Sequence, residues 1–501
     1  MTEKVVGYQA LCEMYNLGVI PHYRKSYISA TSRSHERHDN ISEIHIYPNT
    51  YAIKDFADPF CHMEFALKYD GVNLEILRGV FKELESSQIK EYVQKHPTSK
   101  YSRIVWFLYE FLLDEQLDLS IESNVRYANV LDPEHYFVAN GVRSIRHRIN
   151  NNLLGNKSFC PIVRKTKLLN TYVASNYDAQ ARVLTEKYDP QKIARASYYL
   201  FTKETLSSYK IEREQPSKDR ISRFITVLQQ SSNIEQLSKE QLIELQNIIV
   251  DPRFKDLDYR KNQNYVGETI NYQQRLHYIS PRQEDIDDLM SGLMSTLDRS
   301  FNSKVHAVIA AAMIAFGFVF IHPFEDGNGR IHRFLIHYIL SRLQFTPEGI
   351  IFPVSVVMLQ KIHEYDRILE TFSKPLMQLI NNYELSNDGA LTVAQDTQYF
   401  YRYIDYTKFA EYLFGCIAET LHEHFEKELE FLVKYDATKS QMQAVVDMPD
   451  KLIDLFIKFA CQNHGSIGEQ KRAKYFELLT NEEISALQEI VKINMLEPGV
   501  I

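Results

Sequence analysis

The sequence predicts a mainly α-helical protein of more than one domain, on three observations. The chain has 501 residues, more than one core of ~250–300 residues accommodates. Apolar residues recur at helical spacing through most of the second half, which includes an apolar run from Val308 to Ile321. Strand-like segments are few and short, the clearest being "ISEIHIYPNTYAI" near the start and "NYVGETINYQQRLHYIS" in the middle.

From Val5 to about Pro161 alternating stretches mix with helical ones such as "HMEFALKYDGVNLEILRGVFKEL". The expectation is an α+β or helical accessory domain over residues 1–185. It holds the two notable basic clusters, "PHYRKSYISATSRSHERH" and "RSIRHR". A solvated surface is the plainer reading of both, and a grip on nucleic acid or a partner is the alternative. A second domain, expected over 186–380, begins near "YDPQKIARASYYLFTKETL" and contains several helical patterns. Between two of them, β-branched and aromatic residues flank Gly and Asn ahead of Ser280 and Pro281, the pattern of an extended arm or hairpin. Residues 381–501 carry helical spacing and no polar cluster of catalytic type.

Composition excludes several classes. With 45% hydrophobic and 24% charged residues, 17 Gly and 16 Pro, the chain has no collagenous or low-complexity bias. A net charge of -8 opposes a general electrostatic grip on nucleic acid. The five cysteines are dispersed and form no C-x-x-C pair, which fits a reducing compartment. The N-terminus lacks an apolar signal region, and the run Val308–Ile321, at fourteen residues, is shorter than the ~20 a bilayer helix needs. A cytoplasmic protein without membrane contact is expected, with that run as a buried core helix.

The chemistry concentrates in "FIHPFEDGNGRIHRF", Phe320 to Phe334. Pro323 disfavours the helical region for His322, so the buried run ends there. Apolar positions resume at helical spacing from Ile331, which puts Gly327 and Gly329 just before a new helix. Free N–H groups and the helix dipole favour an anion at such an end, and glycines let it approach the backbone. Arg330 and Arg333, three apart on the first turn, repel each other unless they share an anion, and a polyphosphate would satisfy both. Asp326 offers the single hard carboxylate with which Mg²⁺ is commonly held beside phosphates. His322 can act as general base toward a hydroxyl. His332 and His337 do not form a zinc motif and are read as packing or surface residues.

These residues, "HPFEDGNGRIHR" from His322 to Arg333, match the motif H-P-F-x-[D/E]-G-N-G-R-x-x-R of the Fic family at every fixed position. The resemblance implies a helical Fic core with a short β-hairpin flap, and transfer of AMP from ATP to a Ser, Thr or Tyr hydroxyl of a target protein, with Mg²⁺. By that likeness His322 deprotonates the target and Asp326 holds the metal. Phe324 anchors the loop, while Gly327, Asn328, Gly329, Arg330 and Arg333 hold phosphates. Doc-like relatives, which transfer a terminal phosphate, carry lysine where this chain has Gly329, so the likeness favours nucleotidyl transfer. "NQNYVGE", with Val266 and Gly267, resembles the flap that clamps nucleotide and target backbone. Tyr365 in "HEYDRILETF" is the counterpart of an adenine-contacting tyrosine, but the family's accompanying asparagine is missing.

Many Fic proteins also carry an inhibitory helix, [S/T]-x-x-x-E-[G/N]. "SSYKIEREQPSKDR" supplies Ser208 and Glu212, with Arg213 where Gly or Asn is usual. The resemblance implies that Glu212 pairs with Arg333 bidentately and blocks the γ-phosphate. A rival, "SSNIEQ" with Ser231 and Glu235, runs directly into the next helical pattern, so Glu212 is preferred. The leading expectation is an autoinhibited protein adenylyltransferase, with self-modification as a side activity. The alternatives are removal of AMP, transfer of another nucleotide or phosphate group, and a binding regulator with a vestigial Fic site.

Overall fold

The computed structural model describes residues 3–30, 33–38, 42–120, 124–270, 273–386 and 389–496. Asn271 and Tyr272 in the arm, and Thr31 and Ser32 in the basic N-terminal stretch, lie outside these. The chain divides into two compact units, one built from residues 1–175, 207–345 and 358–415, the other from 176–206, 346–357 and 416–501. Helices predominate in both, with a few small sheets in the first.

The N-terminal segment is α+β. Arg24–Ser29 pairs antiparallel with Lys4–Val6 and parallel with Glu43–Pro48, and the latter carries the edge strand His35–His38. The strand-like alternation after Ile41 therefore corresponds to Glu43–Pro48. The basic stretch, read as surface, forms two strands, and its cations are partly neutralised internally. Arg24 pairs with Glu43 and donates to the Tyr69 carbonyl. In the second cluster Arg146 and His147 both meet Glu110, each at 3.0 Å.

The part that positions the site is helical. Ala307–Ile321 is apolar on every face, and all but one of its residues are buried, as its sequence requires. It packs along Asn328–Arg342, so the loop between the two helices is held by a core on both sides. Lys239–Ile249 opens with a reciprocal capping box between Ser238 and Gln241, and Ser217 caps Lys218–Gln230. The arm is a two-stranded antiparallel hairpin, Tyr265–Ile270 with Gln273–Ile279, bulged between Val266 and Gly267. A side chain at Gly267 would press on the Arg275 carbonyl oxygen at 2.6 Å, which explains a glycine there.

The second unit contains its own apolar core, formed by residues including Met442, Phe456, Ile457, Phe476 and Leu487. Its helices include Glu426–Val445, Asp450–Gln462 and Asn481–Val491. The expected helical C-terminal region is present. Among the described residues no helix is long and apolar enough to cross a membrane.

Candidate active site

The loop begins where the sequence places it. His322 ends the buried helix in the left-handed conformation, φ +55°, and its N–H still bonds back to Phe318. Its Nδ1 lies 3.1 Å from the Val319 carbonyl oxygen. A carbonyl only accepts, so Nδ1 carries the proton and Nε2 keeps its lone pair. Desolvation pushes the pKa of the imidazole down to about 4, partly opposed by the Val319 bond. A neutral, oriented imidazole with one free basic nitrogen is what a general base requires.

That shift sets an expected pH profile. With a free-enzyme pKa well below 6.5, the basic form persists at pH 5.5, where an ordinary histidine has lost about nine-tenths of it. For the Glu212→Gly form, kcat/KM for protein labelling should therefore stay flat between pH 8 and about pH 5.5 and decline only below. Removing the Glu212 charge lowers the histidine pKa further, in the same direction. A midpoint near 6.5 would contradict this assignment of the base.

The rest of the loop is fixed by its own side chains and by residues from outside the motif. Phe324 is fully buried, edge-on to Tyr259 with ring centroids 5.5 Å apart. Asn328 closes the loop by accepting from the Phe324 N–H at 3.0 Å and donating to its carbonyl at 2.7 Å. Its side chain is thereby committed to the backbone, and its N–H begins the next helix. Gly327 caps that helix at φ +93°, a conformation that favours glycine. On one side Gln246 donates to the Asp326 carbonyl, and Asp256 accepts from the Glu325 N–H. On the other, the buried Arg260 donates to the carbonyl oxygens of His322, Asn262 and Pro281 and to Ser280 Oγ. Tyr278 of the hairpin donates to the Phe320 carbonyl. Arg260 and Tyr278 thus tie the base of the hairpin to the loop.

The two arginines of the motif are 1% exposed, so each needs an anion or several acceptors. Arg333 Nε donates to Ser208 Oγ at 2.7 Å, and Nη2 donates to the Ser208 carbonyl at 2.9 Å and to Glu212 Oε1 at 2.7 Å. The expected bidentate carboxylate is therefore shared differently. Glu212 contributes one oxygen and Ser208 both of its own, because the serine on the last turn of Pro190–Ile211 already faces the Nε edge. A Cβ on Gly329 would collide with Glu212 Oε1, which places the carboxylate against the N-terminus of the motif helix. Arg213, where Gly or Asn is usual, takes φ +58°. That left-handed turn explains the usual preference, and a non-glycine residue adopts it at a cost of about 1–2 kcal/mol.

Arg330 meets Asp326 at 2.6 Å and Glu214 at 2.7 Å. Tyr365, on helix Ile362–Leu379, is buried beside Arg333 and Glu212, and burial raises its hydroxyl to about 12. Of the residues expected in the site, the structure brings Ser208, Glu212, His322 to Arg333 and Tyr365 into one region. Val266 and Gly267 lie out on the hairpin, whose base is fastened there, and Val266 is 47% exposed. His332 and His337, read as packing or surface residues, are both buried. Sequence reasoning missed Arg260 and Glu214, which belong to no motif and act through contacts with residues 62 and 116 positions away.

The chain is similar to known proteins over part of its length. Residues 236–340 match the model of the Fic/DOC family. Over 90 residues the chain is 34% identical to a protein adenylyltransferase Fic of Drosophila willistoni, covering 18% of this chain and 16% of that one. Over 108 residues it is 33% identical to the protein of that name from Culex quinquefasciatus, covering 22% and 18%. The chain thus spans less than a fifth of the length of these relatives. Among solved structures, a Fic domain containing signaling protein from Bacteroides thetaiotaomicron is 18% identical with a TM-score of 0.37, over 51% of this chain and 97% of that one. A Fic family protein from Desulfovibrio desulfuricans, also 18% identical, has a TM-score of 0.36 over 64% and 84%.

Proposed function

We propose, from the premise that residues 236–340 form a Fic/DOC-family domain, that this protein transfers AMP from ATP to a hydroxyl side chain of a target protein and is restrained by Glu212. The observation that carries the reading is the 3.1 Å approach of His322 Nδ1 to the Val319 carbonyl oxygen. A proton on Nδ1 satisfies that carbonyl and leaves Nε2 as the basic nitrogen. In the reaction the target oxygen attacks the α-phosphorus, and the bond from that phosphorus to the oxygen bridging to the β-phosphate breaks. Pyrophosphate leaves, and the hydroxyl proton passes to Nε2. Gly327, Gly329 and the motif arginines hold the phosphates, and Tyr365 lies beside them.

Asp326 fits the Mg²⁺ that such chemistry uses. Its carboxylate is 45% exposed, and its Oδ1 takes the Gly327 N–H and Arg330, donors that a cation can replace. Bound there, Mg²⁺ would neutralise phosphate charge. In this reading residues 186–380 are the catalytic domain, with 1–185 and 381–501 accessory to it. The hairpin, with Val266 and Gly267, receives the target's extended backbone, and its own chain is one such target.

The test is the origin of the label. The Glu212→Gly form, incubated with a cell lysate, should label protein from ATP carrying the isotope at the α-phosphate and not from ATP carrying it at the γ-phosphate. The modified peptide should gain the mass of AMP. Label from the γ-position would mean phosphoryl transfer and overturn the proposal.

A further inference from the structure

Glu214 is two residues beyond Glu212, across the left-handed turn at Arg213, and no motif assigns it a role. Its Oε1 is 2.7 Å from Arg330 Nη2, and its Oε2 accepts from Nη1 at 3.2 Å. This is an end-on, two-point hold on the guanidinium. The other hydrogen of Nη2 goes to Asp326 at 2.6 Å. It lies on the same edge as Nε, which is buried without a hydrogen-bond partner. A buried donor left unmatched is uncommon and calls for an explanation.

The hold is itself built. Arg220 Nη2 donates to Glu214 Oε2 at 2.9 Å, and Arg220 also donates to the Ile249 carbonyl from Nε and Nη2. Tyr209 donates to the same carbonyl at 3.0 Å. Its ring lies beneath both cations, 5.4 Å from the Arg330 guanidinium and 5.2 Å from that of Arg220. The carboxylate is thus braced from behind by a second arginine, and the end of Arg330 is closed on every side but one.

We infer that Glu214 is a positioning residue that fixes Arg330 end-on, so that its Nε and Nη2 edge is presented to the phosphates of the nucleotide. The inference rests on the proposed nucleotide site and adds to it the residue that orients one of its two arginines. Glu212 and Glu214 then have opposite effects from one turn. The first occupies an arginine that the nucleotide needs, and the second aims the other one. When Asp326 turns to a cation, Arg330 keeps Glu214 and frees the Nη2 hydrogen beside the unmatched Nε.

The experiment uses the full chain carrying Glu212→Gly and compares it with the same chain also carrying Glu214→Gln. Glutamine keeps the shape but sets an amide donor against two guanidinium groups. Calorimetry should show ATP binding weakened about tenfold, the loss of one well-oriented charged contact, while adenosine binding is unchanged. Arg220→Met should act in the same direction and add nothing to Glu214→Gln, since it works through it. It also serves as the second variant should Glu214→Gln fail to fold. Equal loss of ATP and adenosine would mean a structural role and overturn the inference. So would tighter ATP binding, which would make Glu214 a second brake, and so would no change. A parent that binds ATP but labels no protein would overturn the proposed transferase and leave this comparison intact. A parent that binds no ATP would overturn both.

Discussion

Glu212→Gly is expected to raise the rate of protein labelling from α-labelled ATP by about tenfold or more. The carboxylate that it removes accepts from a buried arginine through one charge-assisted contact at 2.7 Å. Such contacts contribute about 1.5–3 kcal/mol, which corresponds to roughly ten- to a hundredfold in the occupancy of a competing anion. Glu212 is 34% exposed, so screening favours the lower end. The same change should make the empty protein less stable, because Arg333 loses the Glu212 carboxylate and retains the oxygens of Ser208. ATP should then restore more stability than it gives the unmodified chain, since a ligand that binds only the folded form stabilises by RT ln(1 + [L]/Kd). Two independent measurements, labelling rate and the ATP-induced shift in melting temperature, should move together. An unchanged rate accompanied by an unchanged shift would remove Glu212 as the brake.

Why Glu212 was legible and Glu214 was not is a matter of spacing. Ser208, in the last turn of Pro190–Ile211, and Glu212, just past its end, are four apart, so a local pattern predicts that both face the same point, and Arg333 is where they meet. Glu214 follows a left-handed residue, and its partners, Arg220 six positions on and Arg330 116 positions on, fall at no spacing that a helical pattern reveals. Arg260 is similar. Its four side-chain acceptors are three backbone carbonyls and a serine drawn from three separate segments, and a single arginine in a polar stretch carries no period to reveal that. The position of the motif loop between two helices was legible, whereas Asn328, expected at the phosphates, commits its side chain to the Phe324 backbone. The buried helix Ala307–Ile321 was legible because it is apolar all round. The N-terminal strands were only half legible. Glu43–Pro48 alternates, but the edge strand His35–His38 is rich in charge, as an edge is when it must not attract another chain, and the interior strand Arg24–Ser29 opens with two cations.

His322→Ala in the Glu212→Gly chain is expected to lower labelling by about a thousandfold, within the 10²–10⁴ that a positioned general base contributes. The substitution needs a control, because His322 sits at φ +55°. Alanine there has a strain cost of about 1–2 kcal/mol and loses the bond to Val319. His322→Asn separates the two effects. Asparagine tolerates the left-handed conformation, keeps a donor for local hydrogen bonding and has no basic nitrogen. If His322 acts as the base, both variants should lose labelling to a similar degree, while the ATP-induced thermal shift survives in each. The shift should survive because the phosphate cradle is formed by Gly327, Gly329 and the arginines, and the loop remains held by Arg260 through the backbone oxygen of residue 322, not its ring. Retention of activity in His322→Asn would show that the ring shapes the loop and that the proton goes elsewhere. Loss of the thermal shift in both would show that position 322 supports nucleotide binding instead of the chemical step.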